Sequence, residues 1–336
     1  VALTQMEGAL SERVKEIRQV MMDLLVDITV NLDYPDEDIE FLTYNKLRNS
    51  LSQIGDMIER LMSTANTGRI IREGLNAAII GKPNVGKSSL MNAMLKETRA
   101  IVTEIPGTTR DAIDSYVSIG ENKFLFIDTA GIRRKSKVKE EVEKYSVLRA
   151  LTSIEKADVC ILMIDASEGI TEQDEKIAGY AHESGKGIVI AVNKWDAIEK
   201  DDKTMSAFTK KIRTQLAFIS YAPIVLISVK NNLRIDKLID TVVYVSNQCA
   251  LRISTGVLNE IISQAIMMQQ PPIDRGKALK IYYATQVAVR PPQFVFFVND
   301  INIVHFSYER YLENQIRAHF GFEGTPIKIS YRPKSE

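Results

Sequence analysis

The chain has 336 residues, 45% of them hydrophobic, and its 43 Lys and Arg residues balance its 43 Asp and Glu residues. This composition excludes a disordered or fibrous chain and supplies enough apolar material for one to three globular domains. The balanced charge gives no reason to expect a protein that coats a free polyanion.

The N-terminal segment, residues 1–75, has the apolar spacing of two long helices. Apolar residues recur at helical intervals across residues 9–30 and again across residues 47–61. Residues 32–38 combine a proline with clustered acids, which predicts a turn that starts the second helix and makes an antiparallel pair. A polar joint with a glycine, residues 63–68, is expected to end this segment.

Residues 76–248 alternate short β-branched runs with amphipathic stretches. The runs that predict strands are 77–80, 124–127, 159–164, 188–192 and 224–227. Such alternation is typical of βαβ units, which form a parallel sheet with helices on both faces. The apolar runs are far shorter than the roughly 20 residues that span a bilayer, and no signal peptide opens the chain. We therefore expect an α/β domain in the cytoplasm, without a membrane contact.

The C-terminal segment, residues 249–336, changes to the order helix, two strands, helix and strand. This order predicts a small α+β unit after the α/β domain. The two cysteines, Cys160 in an apolar run and Cys249 far from it, cannot build a disulfide framework or a zinc site. We predict that both are buried as small apolar residues, in a protein of a reducing compartment.

A phosphate-binding loop follows the first strand of the α/β domain. Residues 81–88 match the pattern G-x-x-x-x-G-K-[ST] between a strand and a helix. The glycines let successive N–H groups and the helix N-terminus face the phosphates. Lys87 is predicted to reach the β- and γ-phosphates, and Ser88 is predicted to bind magnesium. The predicted nucleotide contacts here are Gly81, Lys82, Pro83, Asn84, Val85, Gly86, Lys87, Ser88 and Ser89.

Two later segments are expected to sense the γ-phosphate. Asp128 ends a strand and can hold the metal through water, and the N–H of Gly131 can contact the γ-phosphate. Thr109 lies in residues 103–111, a switch loop, where it can offer its hydroxyl to magnesium and its N–H to the γ-phosphate. The predicted contacts from these segments are Thr103, Thr108, Thr109, Asp128, Thr129, Ala130 and Gly131.

The guanine base is expected at residues 193–196, which read Asn-Lys-Trp-Asp at the end of another strand. Asp196 can accept hydrogen bonds from the N1–H and the exocyclic amine of guanine, an arrangement that adenine lacks, while the stem of Lys194 covers the base. After the next strand, the N–H of Val229 can reach the guanine carbonyl. GTP is favoured over ATP by the predicted base contacts, which are Asn193, Lys194, Asp196, Ser228, Val229 and Lys230.

The catalytic element is less obvious, because Ile132 stands where many GTPases place a glutamine that orients the attacking water. Isoleucine cannot orient water, so catalysis must use another group. The side-chain oxygen of Asn84 and the carbonyls of residues 103–108 can hold a potassium ion where the charge of an arginine finger would sit. A nucleotide-dependent binding module with negligible turnover is the alternative.

These motifs resemble GTPases in which a hydrophobic residue replaces the catalytic glutamine. Residues 107–336 resemble the second GTPase domain and the C-terminal KH-like domain of the Der (EngA) family. This resemblance is carried by residues 107–114, 128–135, 143–146, 193–196, 280–286, 305–314 and 324–327. Residues 1–106 instead resemble the MnmE (TrmE) GTPases of tRNA modification, through residues 8–11, 32–39, 68–74 and 99–103. The chain therefore resembles a hybrid with its seam in the switch loop.

The Der resemblance implies a GTP-hydrolysing switch that uses GTP/GDP and Mg²⁺ and acts in assembly of the large ribosomal subunit, with that subunit or its rRNA as partner. The MnmE resemblance implies K⁺ as a further cofactor and an alternative role linked to tRNA modification. A homodimer through the GTPase domain is a separate expectation. Under the MnmE resemblance, Ser88 and Thr109 bind Mg²⁺, and Glu143 orients water. The implied potassium ligands are Asn84, Thr103, Ile105 and Thr108. The residues expected to act in catalysis are Lys87, Thr109, Gly131 and Glu143.

Two further features, one in the α/β domain and one in the C-terminal segment, bear on RNA. Residues 133–139 hold five basic side chains, which suit either a solvated loop or a nucleotide-gated contact with RNA phosphates. KH domains hold RNA with a Gly-x-x-Gly loop between two helices, but residues 321–324 lie between a helix and a strand and include an acid. Docking of the KH-like unit on the GTPase domain or a ribosomal surface is therefore favoured over direct RNA reading.

Overall fold

The computed structural model describes residues 2–33, 44–96, 101–103, 115–119, 122–127, 150–199, 201, 203–274 and 276–333. The chain forms two compact units, Val1–Arg69 and Ile70–Glu336. Among the residues described, no helix has the length and apolar character needed to cross a membrane.

Two long helices account for the described part of the first unit. α1 spans Ala2–Asp33, and α2 spans Tyr44–Glu73. Both helices confirm the predicted helical spacing, whereas residues 34–43, which include most of the predicted turn, lie outside the described residues. The boundary between the two compact units falls between Arg69 and Ile70, directly after the predicted joint at residues 63–68, although α2 continues through this joint. The low helix propensities of its threonines, asparagine and glycine are small beside the cooperativity of a 30-residue helix.

A seven-stranded sheet forms the centre of the second unit. Its strands are β1 (Leu75–Ile80), β2 (Ile101–Thr103), β3 (Ser115–Ile119), β4 (Asn122–Phe126), β5 (Val159–Asp165), β6 (Gly187–Asn193) and β7 (Ile224–Leu226). The order is β2-β3-β4-β1-β5-β6-β7. Strands β4, β1, β5, β6 and β7 run parallel and confirm the five predicted strands. β3 is antiparallel to β2 and β4; this edge was not predicted, because both strands are short and rich in Ser and Thr.

Helices cover both faces of this sheet. They are α3 (Lys87–Lys96), α4 (150–156), α5 (Glu172–Glu183), α6 (Thr204–Gln215) and α7 (Ile235–Cys249). Successive strand residues face opposite sides, so Ile161 packs with α3 and α7 and Leu162 packs with α4, α5 and α6 in a separate core. Cys249 lies in the first core and Cys160 in the second, both buried as predicted. Burial raises the pKa of the Cys160 thiol to about 12 and that of Cys249 to about 11.

The C-terminal part confirms the predicted order of helix, two strands, helix and strand. Its elements are α8 (Thr255–Met268), β8 (Ile273–Asp274), β9 (Lys277–Ala278), β10 (Ile281–Ala288), β11 (Gln293–Val298), α9 (Phe306–Phe320) and β12 (Lys328–Pro333). β11 is the central strand of a three-stranded sheet, antiparallel to β10 and parallel to β12. Phe294 and Phe296 of β11 pack in one core with Leu258 of α8 and Leu312 of α9. Among the described residues of this part, the short antiparallel pair of β8 and β9 and a turn of 3₁₀ helix at Ile301–Ile303 were not predicted.

The loop of residues 321–325 joins this C-terminal part to the large sheet. The Ile188 N–H donates to the Gly324 carbonyl at 2.7 Å, and the Gly324 N–H donates to the Tyr221 carbonyl at 2.9 Å. Gly324 therefore bonds to the backbone at the start of β6 on one side and to the backbone just before β7 on the other. Residues 321–325, which we call the docking loop, thus hold the C-terminal part against the large sheet. This contact agrees with the predicted docking of this unit on the GTPase domain.

Arg317 of α9 holds the docking loop in shape. Its guanidinium donates to the carbonyls of Phe322 at 2.8 Å and Thr325 at 3.0 Å. The same group lies 4.5 Å from the ring centre of Tyr221, on the large-sheet side of the contact. Burial and the neighbouring Arg317 act on Tyr221 in opposite directions, and burial prevails, so its pKa is raised.

We expect Gly324→Ala to lower the free energy of unfolding by about 2–4 kcal/mol, because it combines left-handed strain with overpacking. Gly324 has φ +79°, and a Cβ there would overlap both methyl groups of Val245 in α7. Chemical denaturation of the intact chain measures the change.

Gly276→Ala is the matched control for this substitution. Gly276 has φ +78°, but a Cβ there would meet nothing within 4 Å. It should therefore cost only the backbone strain, about 1–2 kcal/mol. Equal losses at the two glycines would show that the contact with Val245 is not tight.

Candidate nucleotide-binding site

The phosphate loop, residues 81–86, connects β1 to α3 and lies against two neighbouring strands. Gly81 has φ +134°, and a Cβ there would come within 2.5 Å of the Met163 carbonyl oxygen of β5. Gly86 has φ +102°, and a Cβ there would overlap the side-chain amide of Asn193. Both glycines are thus required by backbone conformation and by close approach, as the motif predicted.

Lys87 begins α3 and reaches back over the loop. Its ammonium donates to the carbonyl of Gly81, the first residue of the loop. The Leu90 N–H donates to the Gly86 carbonyl at 2.8 Å, which starts the helix directly after the loop. Ser88 and Ser89 are exposed on the first turn. A lysine, exposed hydroxyls and a helix N-terminus together can bind a phosphate chain and present an oxygen ligand to a metal ion.

Asn193 ties the phosphate loop to both base-recognition segments. It ends β6 and is 3% exposed. Its Nδ2 donates to the Val85 carbonyl at 2.8 Å, and its Oδ1 accepts from the Val229 N–H at 3.1 Å. The side chain is therefore a structural bridge, and it brings three predicted motifs together at the carboxyl ends of the parallel strands. Its predicted contact with the base stays a prediction.

Lys194 and Asp196 follow Asn193 on a tight turn. Lys194 has φ +61°, and residues Trp195–Ala197 form one turn of 3₁₀ helix. Trp195 anchors the turn, because it is buried and its N–H donates to the Ile227 carbonyl at 3.1 Å. Lys194 and Asp196 remain partly exposed and can approach a guanine base.

The second base segment, residues 228–230, forms the start of a tight loop. Ser228 and Leu233 exchange backbone hydrogen bonds at 3.2 and 2.9 Å, and the Ser228 hydroxyl accepts from the Asn231 N–H at 3.2 Å. The Val229 N–H, predicted to bind the guanine carbonyl, donates to Asn193 in this structure. A bond to the base would have to share or replace that contact.

The γ-phosphate side of the site is only partly described. Thr103 is the last residue of β2, but nothing is described of its side chain. The remaining predicted residues of this side lie outside the described residues; they are Ile105, Thr108, Thr109, Asp128, Thr129, Ala130, Gly131, Ile132, the basic residues 133–139 and Glu143. Their metal-binding and catalytic roles stay predictions.

Residues 165–169, which follow β5, also contact the nucleotide motifs and were not predicted. The Asp165 carboxylate pairs with Lys194, with 2.5 Å between Oδ2 and Nζ. Glu168 pairs with Lys82 of the phosphate loop, so the Lys82 side chain is directed to this segment and is 10% exposed. A usable sequence signal existed, because an acid directly after the apolar run 159–164 sits at the carboxyl end of a parallel strand.

Comparison with protein-family models assigns both parts of the second unit. Residues 76–194 match the model described as "50S ribosome-binding GTPase", and residues 252–332 match the model of the "KH-domain-like of EngA bacterial GTPase enzymes, C-terminal". The fold and the site thus define a P-loop GTPase domain followed by a KH-like domain.

The curated relatives agree with this class. GTPase Der of Alkaliphilus metalliredigens is 56% identical over 285 residues, which cover 84% of this chain and 65% of that protein. GTPase Der of Acetivibrio thermocellus is 56% identical over 262 residues, which cover 78% of this chain and 60% of that protein. The predicted resemblance to the Der (EngA) GTPases is therefore confirmed, and this chain spans less than two thirds of the length of these relatives.

The longer match also revises the extent of the Der-like region. At 285 residues it exceeds the span from residue 107 to residue 336, so similarity to GTPase Der begins before residue 107. The additional resemblance to MnmE stays a prediction. Among solved structures, a variant of Aquifex aeolicus Era bound to GDP and aluminium fluoride is 24% identical, covers 77% of this chain and 92% of its own, and has a TM-score of 0.40.

Proposed function

We propose that the chain binds GTP and hydrolyses it to GDP and phosphate, as a molecular switch of the Der type. The observation that carries this proposal is the Asn193 bridge, which joins the phosphate loop at Val85 to the base segment at Val229. A single buried side chain thereby fixes the distance between the groups that bind phosphate and the groups that bind guanine. The high identity to proteins named GTPase Der supports the same reaction.

The described residues fit a magnesium nucleotide. Ser88 is an exposed residue on the first turn of α3, and hydroxyl oxygen is a ligand that Mg²⁺ accepts beside substrate phosphates. Thr109 and Asp128 would complete the set. When bound, the metal neutralises charge that develops on the phosphate oxygens. Lys87 holds its ammonium over the loop and would stabilise the same charge.

A potassium ion beside the phosphates is a further part of the proposal. Asn84 is exposed, and its left-handed backbone, φ +64°, projects it from the phosphate loop. With Thr103, Ile105 and Thr108 it would form an oxygen cage that supplies positive charge in place of an arginine finger. Glu143 remains the proposed water-orienting residue.

We expect GTP turnover at saturating GTP to be about tenfold or more faster in potassium than in sodium at equal ionic strength, because sodium is too small for such a cage. Phosphate release in the two salts measures this. Asn84→Ser should lower the potassium rate to the sodium rate. Equal rates for the unaltered chain, or a preference that survives in the variant, would exclude the cation mechanism.

The partner proposed for this switch is the large ribosomal subunit or its rRNA. The support is the description of the matched GTPase model and the identity to GTPase Der. Such a role would place the protein in the cytoplasm. Co-sedimentation with purified large subunits should be stronger with a non-hydrolysable GTP analogue than with GDP. A homodimer through the GTPase domain is a separate proposal, testable by light scattering with the same two nucleotides.

A further inference from the structure

The carboxylate of Asp165 is buried beside the base-recognition segment. Asp165 is the last residue of β5 and is 1% exposed. It pairs in register with Asn193, the last residue of β6, and the Ala166 N–H donates to the Asn193 carbonyl at 2.9 Å. Burying a carboxylate costs free energy, so the groups that contact Asp165 indicate what the buried charge does.

Each oxygen of this carboxylate has a defined partner. Oδ1 accepts from the N–H of Ser167 at 2.9 Å and from its hydroxyl at 2.6 Å. Oδ2 contacts the ammonium of Lys194 at 2.5 Å. Burial alone would raise the pKa of Asp165, but the hydrogen bonds from Lys194 and Ser167 outweigh it and hold the pKa below the ordinary value. The group is therefore an ionised anchor with Ser167 on one side and Lys194 on the other.

The contact determines where the Lys194 stem lies. A free lysine has four rotatable side-chain bonds and loses much of its rotamer freedom when it is fixed. Lys194 is still 43% exposed along its side chain, but its ammonium is fixed by Asp165 and its backbone by the left-handed turn. The stem is consequently ordered before any base arrives.

We propose that Asp165 is a positioning residue of the guanine site, which preorganises Lys194 so that its stem covers the base. The inference rests on the proposed guanine-nucleotide binding and deepens it. Asp165 acts through Lys194, and it does not touch the edge of the base that Asp196 is proposed to read. It should therefore affect all purine nucleotides that use this site by a similar factor.

The test is a double-mutant cycle on nucleotide affinity in the intact chain, with Asp165→Asn and Lys194→Ala. Asp165→Asn should weaken GTP binding by about 5- to 30-fold, because an ionic hydrogen bond becomes a neutral one. In the Lys194→Ala background the same change should weaken binding less than about twofold. GTP and ITP, which lacks the 2-amino group, should be weakened by the same factor.

Lys194→Met provides a second arm that does not alter the buried residue. It keeps an apolar stem but removes the anchored ammonium, so it should lose about as much GTP affinity as Asp165→Asn. Ser167→Ala leaves the pair with Lys194 in place and should change GTP affinity less than about threefold. Thermal unfolding followed by circular dichroism identifies any variant that fails to fold.

The outcomes separate this inference from the proposed function. If the unaltered chain does not bind GTP, the proposed function fails. Two results would show that Asp165 does not act by positioning Lys194 in a chain that binds GTP. One is a GTP affinity of Lys194→Met equal to that of the unaltered chain, and the other is an equal loss of GTP affinity on Asp165→Asn whether Lys194 is present or replaced by alanine. A selective loss of GTP over ITP in Asp165→Asn would also overturn the inference, because it would indicate a contact with the base edge.

Discussion

Replacing Lys87 with alanine is expected to reduce GTP affinity by about 100-fold or more and to abolish measurable hydrolysis. Its ammonium lies over the phosphate loop at the Gly81 carbonyl, where it can form several charge-assisted hydrogen bonds with the β- and γ-phosphates. The side chain is only half-buried, so no apolar core is lost. Titration with a fluorescent GTP analogue and a phosphate-release assay measure the two effects.

Lys176→Ala is the matched control, because Lys176 is an exposed lysine of α5. It should bind and hydrolyse GTP as the unaltered chain does. The unfolding temperature of Lys87→Ala should also stay close to that of the control. A collapse of its melting curve would show that Lys87 is a structural residue rather than a phosphate ligand.

Replacing Asp196 with asparagine is expected to lower GTP affinity by about 100-fold and to raise the affinity for xanthosine triphosphate. The carboxylate is proposed to accept hydrogen bonds from the guanine N1–H and amine, whereas an amide presents a donor that suits the 2-oxo group of xanthine. The Asp196 side chain is partly exposed and lies on a turn anchored by Trp195, so the substitution should leave the fold intact. A change in base preference would therefore report on the base contact and not on a folding defect. Competition between the two nucleotides measures the switch.

Asp240→Asn, on the exposed side of α7, removes the same charge away from the site and should leave both affinities unchanged. GTP binding by Asp196→Asn that equals that of the unaltered chain would refute the base-pairing role.

The parts of the fold that depend on local pattern could be predicted from the sequence. Buried parallel strands are apolar runs, and the loops at their carboxyl ends carry the motifs, so β1, β5 and β6 could be predicted together with the residues that follow them. The positive φ angles of Gly81 and Gly86 could be predicted from the phosphate-loop motif, because glycine adopts them without steric cost.

The parts that depend on tertiary contact could not be predicted. Residues 63–68 have weak local propensity, but they continue a long helix. Gly324 is a glycine because the loop packs on Val245, a residue 79 positions away. The acid at the end of β5 could be placed from the sequence, but its pairing with Lys194 depends on the alignment of β5 beside β6 in the sheet. For residues 63–68 the cause is the cooperativity of a long helix, whereas for Gly324 and Asp165 the deciding partner is distant in sequence, and no periodicity records it.

The central claim is that the site selects guanine and hydrolyses the triphosphate, and phosphate release from GTP and ATP by the intact chain tests it most directly. With Mg²⁺ and K⁺ present, the account predicts sustained phosphate release from GTP, little from ATP, and none from GTP in Lys87→Ala. Equal release from GTP and ATP, or no release from GTP above the rate in buffer, would contradict it.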